Sequence, residues 1–160
     1  HFTMQMDKMD VLAELGEAVL IYTERARREH IEILYNEPEF LPIVYGDKNR
    51  IRQVFINIID NAIKYSNPGG KVQITATQKD EGKTVCIVVE DQGVGIKASD
   101  LPKIKTKFYK ANHSRRGSGI GLGVADEIIR QHGGRLEIAS AEGVGTTVTI
   151  DIPAAGHGKA

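Results

Sequence analysis

The chain has 160 residues, and its 21 lysines and arginines balance its 21 aspartates and glutamates, so the formal net charge is zero. This length predicts one domain with one substantial core. The balanced charge argues against a nucleic-acid or membrane-binding surface, and no apolar stretch approaches the roughly 18 residues of a membrane span. The single cysteine, Cys86, lies in an apolar run, which indicates a buried thiol in a reducing compartment.

The predicted elements follow a simple order along the chain. Helical spacing of apolar residues predicts helices over 11–28, 50–64 and 119–132, the second capped by Asp47. Alternating patterns predict strands over 31–35 and 43–45 and two hairpins, one over 72–90 and one over 136–152. The second strand of the first hairpin is apolar on both faces, which predicts a central position in the sheet. The polar, basic segment 97–116 has no clear period and is predicted to be a long loop.

This order predicts the fold class. Strands that are adjacent in sequence, with about three helices on one face, are typical of a two-layer α/β sandwich with a mixed, largely antiparallel sheet. The repeated βαβ units of a Rossmann fold are missing, so the glycines near 120 are not half of a dinucleotide fingerprint. We expect residues 1–10 to be the end of a preceding helical segment or a linker. The domain should span 11–153, with a lid at about 97–117, and 154–160 should be a flexible tail.

The second predicted helix carries two asparagines and a lysine on one side. At 100° per residue, Asn57, Asn61 and Lys64 fall within roughly 60° of arc, beside the apolar face. Mg²⁺ prefers hard oxygen ligands, and an Asn carbonyl oxygen supplies one without adding negative charge beside a triphosphate. The alternative interpretation is an ordinary solvated helix face.

A first glycine turn, Asp91-Gln92-Gly93-Val94-Gly95, follows the predicted central strand directly. A carboxylate at Asp91 can accept a hydrogen bond from the exocyclic amine of adenine, whereas guanine presents a carbonyl there. Gly93 and Gly95 allow positive φ and a close approach of the backbone to the ring. The alternative is an Asp-x-Gly turn with only a local hydrogen-bonding role.

A second glycine turn, Gly117-Ser118-Gly119-Ile120-Gly121-Leu122-Gly123, brackets the start of the third predicted helix. Free N–H groups and the positive end of the helix dipole favour phosphate at such a position. The loop before it carries several lysines and arginines, most of which are explained as a solvated basic loop.

The three motifs in this order resemble the nucleotide-binding catalytic domain of sensor histidine kinases, in the wider family that includes gyrase, Hsp90 and MutL ATPases. The resemblance extends from about 11 to 153 and implies the Bergerat version of the two-layer sandwich. It implies that Asn61 is a Mg²⁺ ligand with Asn57 beside the same ion, that Lys64 and Lys110 face phosphates, and that Thr146 joins Asp91 near adenine. Thr146 could equally be an ordinary strand threonine. The implied ATP-binding set is Asn57, Asn61, Lys64, Tyr65, Asp91, Gly93, Gly95, Ile96, Lys110, Gly117, Gly119, Ile120, Gly121, Leu122 and Thr146.

The resemblance also implies a reaction. ATP with Mg²⁺ would donate its γ-phosphate to a histidine on a separate dimerisation domain. The phosphoryl group would then pass to a response regulator. Asn57 stands where the ATPase branches carry a water-activating Glu, and an amide cannot accept that proton. The domain is expected to be cytoplasmic and monomeric, although related full-length proteins are commonly membrane-anchored. The competing functions are a free-standing ATPase or conformational clamp, and a binding module or serine kinase.

One segment departs from the family pattern. Lys105 and Thr106 stand where the family usually has Phe and Glu, so an apolar anchor of the lid is expected to be missing. None of the histidines has the expected setting of a phosphoacceptor: His113 lies in the lid, His132 ends a helix, and the residues after His1 do not match the acceptor motif.

Overall fold

The computed structural model describes residues 3–105 and 121–156 and has two layers. The strands and helices of the described residues are β1 (Asp7–Met9), α1 (Val11–Arg28), β2 (Glu32–Tyr35), β3 (Val44–Gly46), α2 (Lys48–Lys64), β4 (Lys71–Lys79), β5 (Thr84–Asp91), α3 (Gly123–Gln131), β6 (Arg135–Ala141) and β7 (Gly145–Pro153). Five strands form one sheet in the order β2-β4-β5-β7-β6, and β1 pairs with β3 in a separate ribbon. Only the β2–β4 pair of the large sheet is parallel. The mixed, largely antiparallel sheet with helices on one face confirms the predicted fold class.

Side-chain caps fix where the first two helices begin. Asp10 accepts hydrogen bonds from the backbone N–H groups of Leu12 and Ala13 at the start of α1. Asp47 does the same for Asn49 and Arg50 at the start of α2, as the sequence predicted. These carboxylates satisfy donors that the helix itself leaves unpaired and stabilise each start by about 1 kcal/mol.

The core lies between the sheet and the helices. Strand β5 sits between β4 and β7, which confirms its predicted central position. Every second residue of β5 and β7 points toward the helices, and these side chains are almost fully buried: Val85, Ile87, Val89, Val148, Ile150 and Ile152. Helix α2 covers them with its own buried face, which includes Phe55, Ile58 and Ile59. The asparagine side of α2 therefore borders the core at one end of the sheet.

The structure differs from the sequence-based boundaries at both ends of the domain. Residues 7–9 are a strand paired with β3, where the sequence predicted the end of a helical segment or a linker. The pattern is too short to identify a three-residue strand whose pairing partner lies 35 residues away. At the other end, the backbone N–H groups of Ala154 and Ala155 donate to Lys83 and Ile43 carbonyls, so residues expected in the loose tail are tied to the domain.

The loop after β5 is also better anchored than expected. It forms a short 3-10 turn at Leu101–Lys103, and Ile104 is only 2% exposed. Ile104 thus provides an apolar anchor one residue before Lys105, where the sequence indicated that an anchor was missing. Helix α3 begins at Gly123, later than the predicted start at 119, which lies outside the described residues. Within 3–105 and 121–156, no helix combines the length and hydropathy needed to cross a bilayer.

Candidate functional site

A pocket opens between the last turns of α2 and the ends of the central strands. It encloses about 430 Å³ of space, its open mouth included. Its walls are mainly apolar, with a few polar groups. The lining residues are Ile58, Asn61, Ala62, Tyr65, Val89, Asp91, Gly95, Ile96, Leu122, Thr146 and Val148. The structure therefore brings residues from all three sequence motifs to one cavity.

Asp91 is the charged group at the base of this pocket. It ends β5, is 8% exposed, and pairs in register with Thr146 of β7. Burial raises the pKa of the Asp91 carboxyl to about 6, although backbone N–H groups of Gly93 and Thr146 donate to it and oppose the rise. The Gly93 bond is 2.8 Å long. At neutral pH the ionised carboxylate is thus a hydrogen-bond acceptor held in apolar surroundings.

The glycine turn after Asp91 is shaped by the protein's own backbone. A Cβ on Gly93 would lie 2.0 Å from the Tyr65 carbonyl oxygen, and one on Gly95 would lie 2.1 Å from that of Ala141. Gly95 has a φ of +72°, as expected, whereas Gly93 does not have a positive φ. The backbone N–H of Val94 donates to Tyr65 at 3.0 Å, which binds the turn to the end of α2. The structure therefore gives a local packing reason for both glycines, where the sequence suggested approach to a ring.

Asn61 lies at the edge of the pocket, and Asn57 lies one helical turn before it. The Asn61 Nδ2 group donates to Asn57 Oδ1 at 3.2 Å, and Asn57 Nδ2 donates to the Gly121 carbonyl at 3.4 Å. The asparagines thus connect α2 with the segment just before α3. The prediction that they share one side of the helix is consistent with this geometry.

Lys64 and Tyr65 end the helix in different surroundings. The Lys64 ammonium lies 3.3 Å from Asp60, which also pairs with Arg25 of α1 at 2.5 Å. Lys64 is not among the residues that line the pocket. Tyr65 is 6% exposed and forms part of the pocket wall. The sequence placed both residues in the implied ATP-binding set, but only Tyr65 lines the pocket.

The second glycine turn is described only from Gly121 onward. Gly121 has a φ of +56°, and Leu122 is buried against the pocket. No side chain caps the first turn of α3, whose N-cap residue is Leu122. The other predicted residues of this segment, Lys110, Gly117, Gly119 and Ile120, lie outside the described residues.

Sequence reasoning missed the apolar wall and one polar residue. Ile58, Ala62, Val89 and Val148 line the pocket, whereas the sequence placed them only in a predicted helix and in the two predicted hairpins. Ser140 of β6 contacts three groups around the site: its Oγ accepts from the Ile96 N–H at 2.8 Å, donates to the Gly145 carbonyl at 2.9 Å, and lies 2.8 Å from Thr146 Oγ1. The detectable signal was a polar residue at an inward-facing position, two residues after Ile138.

The donor set suits a hard metal ion with few protein ligands. Across residues 3–105 and 121–156, no group of three or more His, Cys, Asp or Glu side chains could hold an ion. The amide oxygens of Asn61, in the pocket wall, and of Asn57, one turn before it, are the neutral groups that could hold an ion, and the Asn57 oxygen already accepts from Asn61. Such a set fits a Mg²⁺ ion that takes most of its ligands from phosphates and water.

Comparisons with known proteins agree on the family. Residues 46–156 match the family model described as histidine kinase-, DNA gyrase B-, and HSP90-like ATPase. The sensor histidine kinase WalK of Bacillus subtilis is 37% identical over 134 residues, which are 81% of this chain and 22% of WalK. The chain spans between 22% and 40% of the length of the first relatives that it matches.

Solved structures show the same relationship. The catalytic domain of histidine kinase ThkA is 27% identical with a TM-score of 0.80, and the match covers 94% of this chain and 96% of that domain. ThkA has also been solved in complex with the response regulator protein TrrA. Full-length ShkA in complex with AMPPNP is 26% identical with a TM-score of 0.80, over 95% of this chain and 32% of ShkA. The chain belongs to the histidine kinase-, DNA gyrase B- and HSP90-like ATPase family, and its relatives and its fold assign it to the histidine kinase catalytic domains.

Proposed function

We propose that this domain binds ATP with Mg²⁺ and presents the γ-phosphate to a histidine on a separate domain. The observation that carries the proposal is the buried carboxylate of Asp91 at the base of an apolar pocket, with Asn61 at the edge of the same pocket. The apolar walls would pack against a flat base, and the amine of that base would donate to the carboxylate. The structure of ShkA with AMPPNP supports an adenine nucleotide as the ligand of this fold.

Base selection would depend on Asp91. An ionised carboxylate has no proton to donate, so it favours a ligand edge that brings an N–H group and disfavours one that brings a carbonyl. Adenine offers an amine at this position and guanine a carbonyl. A guanine carbonyl would face the buried carboxylate with no proton between the two oxygens, and this repulsion makes the discrimination strong.

Phosphate and Mg²⁺ would bind at the end of the pocket opposite Asp91. Asn61, with Asn57 beside it, would hold Mg²⁺, which neutralises phosphate charge when bound. The uncapped first turn of α3 is suited to phosphate oxygens,. Lys64 would reach the phosphates by leaving its partner Asp60, and Lys110 is proposed as a second cation.

Hydrolysis is poorly served by the described site. Among the described residues that line the pocket, Asp91 is the single carboxylate, and it lies at the base-recognising end. Asn57 cannot take a proton from water. Phosphoryl transfer depends mainly on positioning and charge stabilisation, so a histidine brought in line by another domain can act as the nucleophile.

Two partners are implied if this domain binds the nucleotide and another domain supplies the nucleophile. The phosphoacceptor is proposed to be a histidine on a helical dimerisation domain, and the phosphoryl group would pass to a response regulator, as the ThkA–TrrA complex suggests for a relative. We propose a cytoplasmic setting, where ATP is available, and a monomeric catalytic domain.

Transfer to a partner histidine tests the proposal. The domain is incubated with labelled ATP, Mg²⁺ and helical domains that carry a candidate acceptor histidine, and acid-labile phosphate on the partner is measured. Labelled partner is expected with the unmodified domain, and none with Asp91→Asn or with an acceptor His→Gln partner. Rapid phosphate release by the domain alone, at rates typical of a dedicated ATPase, would overturn the proposal in favour of an ATPase or clamp.

A further inference from the structure

Ser140, Thr146 and Asp91 form one row across the sheet. Ser140 of β6 pairs in register with Thr146 of β7, and Thr146 pairs with Asp91 of β5. Successive side chains of a strand alternate between faces, and residues paired in register lie on the same face. All three side chains therefore point to the helix side of the sheet, where the pocket lies.

The hydroxyl of Ser140 is fully used by its neighbours. It accepts from the Ile96 N–H at 2.8 Å and lies 2.9 Å from the Gly145 carbonyl and 2.8 Å from Thr146 Oγ1. A carbonyl can only accept, so the contact with Gly145 takes the single proton of Ser140. The short contact between Ser140 and Thr146 then needs a proton from Thr146.

This count fixes the direction of the Thr146 hydroxyl. In the reverse assignment, Ser140 would donate to Thr146, and two oxygens would face each other at 2.9 Å at Gly145 with no proton between them. Only one arrangement supplies a proton to every contact: Ile96 and Thr146 donate to Ser140, and Ser140 donates to Gly145. Thr146, which lines the pocket, is left with lone pairs for any ligand.

We infer that Ser140 is a positioning residue that sets Thr146 as a hydrogen-bond acceptor and so reinforces the choice of an amine-bearing base. This inference rests on the proposed function. Ionised Asp91 and the Thr146 hydroxyl then have the same polarity, and both favour a base edge that donates. Without Ser140, the Thr146 hydroxyl is free to turn and donate to a carbonyl.

The ratio of ATP to ITP affinity measures this role. Hypoxanthine carries a carbonyl where adenine carries its amine, and its N1 carries a proton where adenine N1 is an acceptor. The change that Ser140→Ala makes in the ATP-to-ITP ratio is therefore the measurement, and not the ratio of the unmodified domain alone. In Ser140→Ala the preference for ATP over ITP is expected to fall about tenfold, which is the loss of one well-placed hydrogen bond together with the removal of a repulsion. Ser140→Thr keeps a hydroxyl at the same position and should restore the preference. General loosening of the pocket would weaken both nucleotides together and leave the ratio unchanged.

The outcomes separate this inference from the proposed function. If the unmodified domain binds neither nucleotide, the proposed function fails. If it binds ATP and Ser140→Ala remains folded with an unchanged ATP-to-ITP ratio, the inference is overturned and the proposed function stands. Equal binding of ATP and ITP by the unmodified domain would also overturn the inference. If Ser140→Ala does not fold, a neutron structure of the unmodified domain decides, because the Thr146 deuterium should lie toward Ser140 Oγ and not toward the pocket.

Discussion

His132 accepts a hydrogen bond through Nε2 from the backbone N–H of Asp47 at 3.0 Å. Its Nδ1 lies 2.7 Å from the Ile128 carbonyl, so that nitrogen carries the proton,. The neutral imidazole therefore connects the end of α3 with the cap of α2, the helix that carries the asparagines. A protonated ring would place an N–H group against the N–H of Asp47 and break this contact.

Stability should consequently depend on the protonation of His132. Burial lowers the pKa of His132, although its bond to Ile128 and the charge of Asp47 oppose the change. A group with a lowered folded-state pKa contributes stability above its unfolded pKa, about 6.5, and this contribution is lost as the pH falls toward the folded value. The free energy of unfolding of the unmodified domain, minus that of His132→Gln, should decrease between about pH 7 and pH 5.

The comparison of the unmodified domain with His132→Gln is needed because Asp91 titrates in the same pH range and changes the free energy of unfolding in the opposite direction. Its folded-state pKa is raised to about 6, so its contribution is present below its unfolded pKa of about 3.9 and is lost as the pH rises through 6. Denaturant unfolding at several pH values gives the comparison. A difference that stays constant with pH would show that His132 does not titrate in this range.

Nucleotide affinity should follow the ionisation of Asp91. Asp91→Asn is expected to weaken ATP binding by about 1–3 kcal/mol, because a buried charged hydrogen bond is lost. In the unmodified domain, ATP affinity should fall as the pH drops below about 6, since a protonated carboxyl is a poorer acceptor. Calorimetry of both proteins across this range is the measurement.

The Asp91→Asn variant also corrects for the titration of the triphosphate, which is common to both proteins. If the ATP affinities of the two proteins changed with pH in parallel, the ionisation of Asp91 would have no part in ATP binding. GTP should bind the unmodified domain far more weakly than ATP.

Asn61→Asp should affect nucleotide binding differently in the presence and in the absence of Mg²⁺. The substitution adds a negative charge beside Asn57 at the pocket edge, where it attracts the ion but repels phosphates that no ion neutralises. Metal-free ADP is therefore expected to lose more affinity than Mg²⁺·ADP, and the metal dependence of ATP binding should change. Titrations with and without EDTA test this, and equal losses under both conditions would identify Asn61 as a structural residue.

Gly93 and Gly16 provide a matched pair of Gly→Ala substitutions. A Cβ on Gly93 would meet the Tyr65 carbonyl at 2.0 Å, whereas one on Gly16, inside α1, meets nothing within 4 Å. Gly93→Ala should cost about 3 kcal/mol of stability because backbone must move. Gly16→Ala should gain about 0.4–1 kcal/mol, since it restricts the unfolded chain and favours the helix. Thermal unfolding of both variants checks the signs, and a neutral Gly93→Ala would contradict the close packing of the turn.

The fold was largely predictable because its main elements carry strong local patterns. The apolar periodicity of α2 and the alternation of β4 correspond to the faces that they bury. Strand β5, whose run from Val85 to Val89 is apolar on both faces, is the central strand of the sheet. Local pattern fails for β1, because a three-residue strand is defined by its distant partner β3 and not by its own sequence.

The site was predictable in its residue types but less so in its contacts. Asp91, Asn61 and Tyr65 could be chosen from motifs, since each brings its chemistry in its own side chain. The pairing of Lys64 with Asp60 and the three contacts of Ser140 depend on tertiary geometry. The approach of Gly93 to Tyr65 is likewise a relation between two backbone segments that the order of residues does not reveal.

That backbone approach gives the pocket a fixed span. The turn after Asp91 is bonded to Tyr65, the residue that follows α2, and Asn61 lies one helical turn earlier. Main-chain atoms, which have no rotamers, thus set the distance between the backbone of Asp91 and the backbone of Asn61. Substitution of pocket side chains should therefore change how tightly a nucleotide is held more than it changes the separation of the two ends of the pocket.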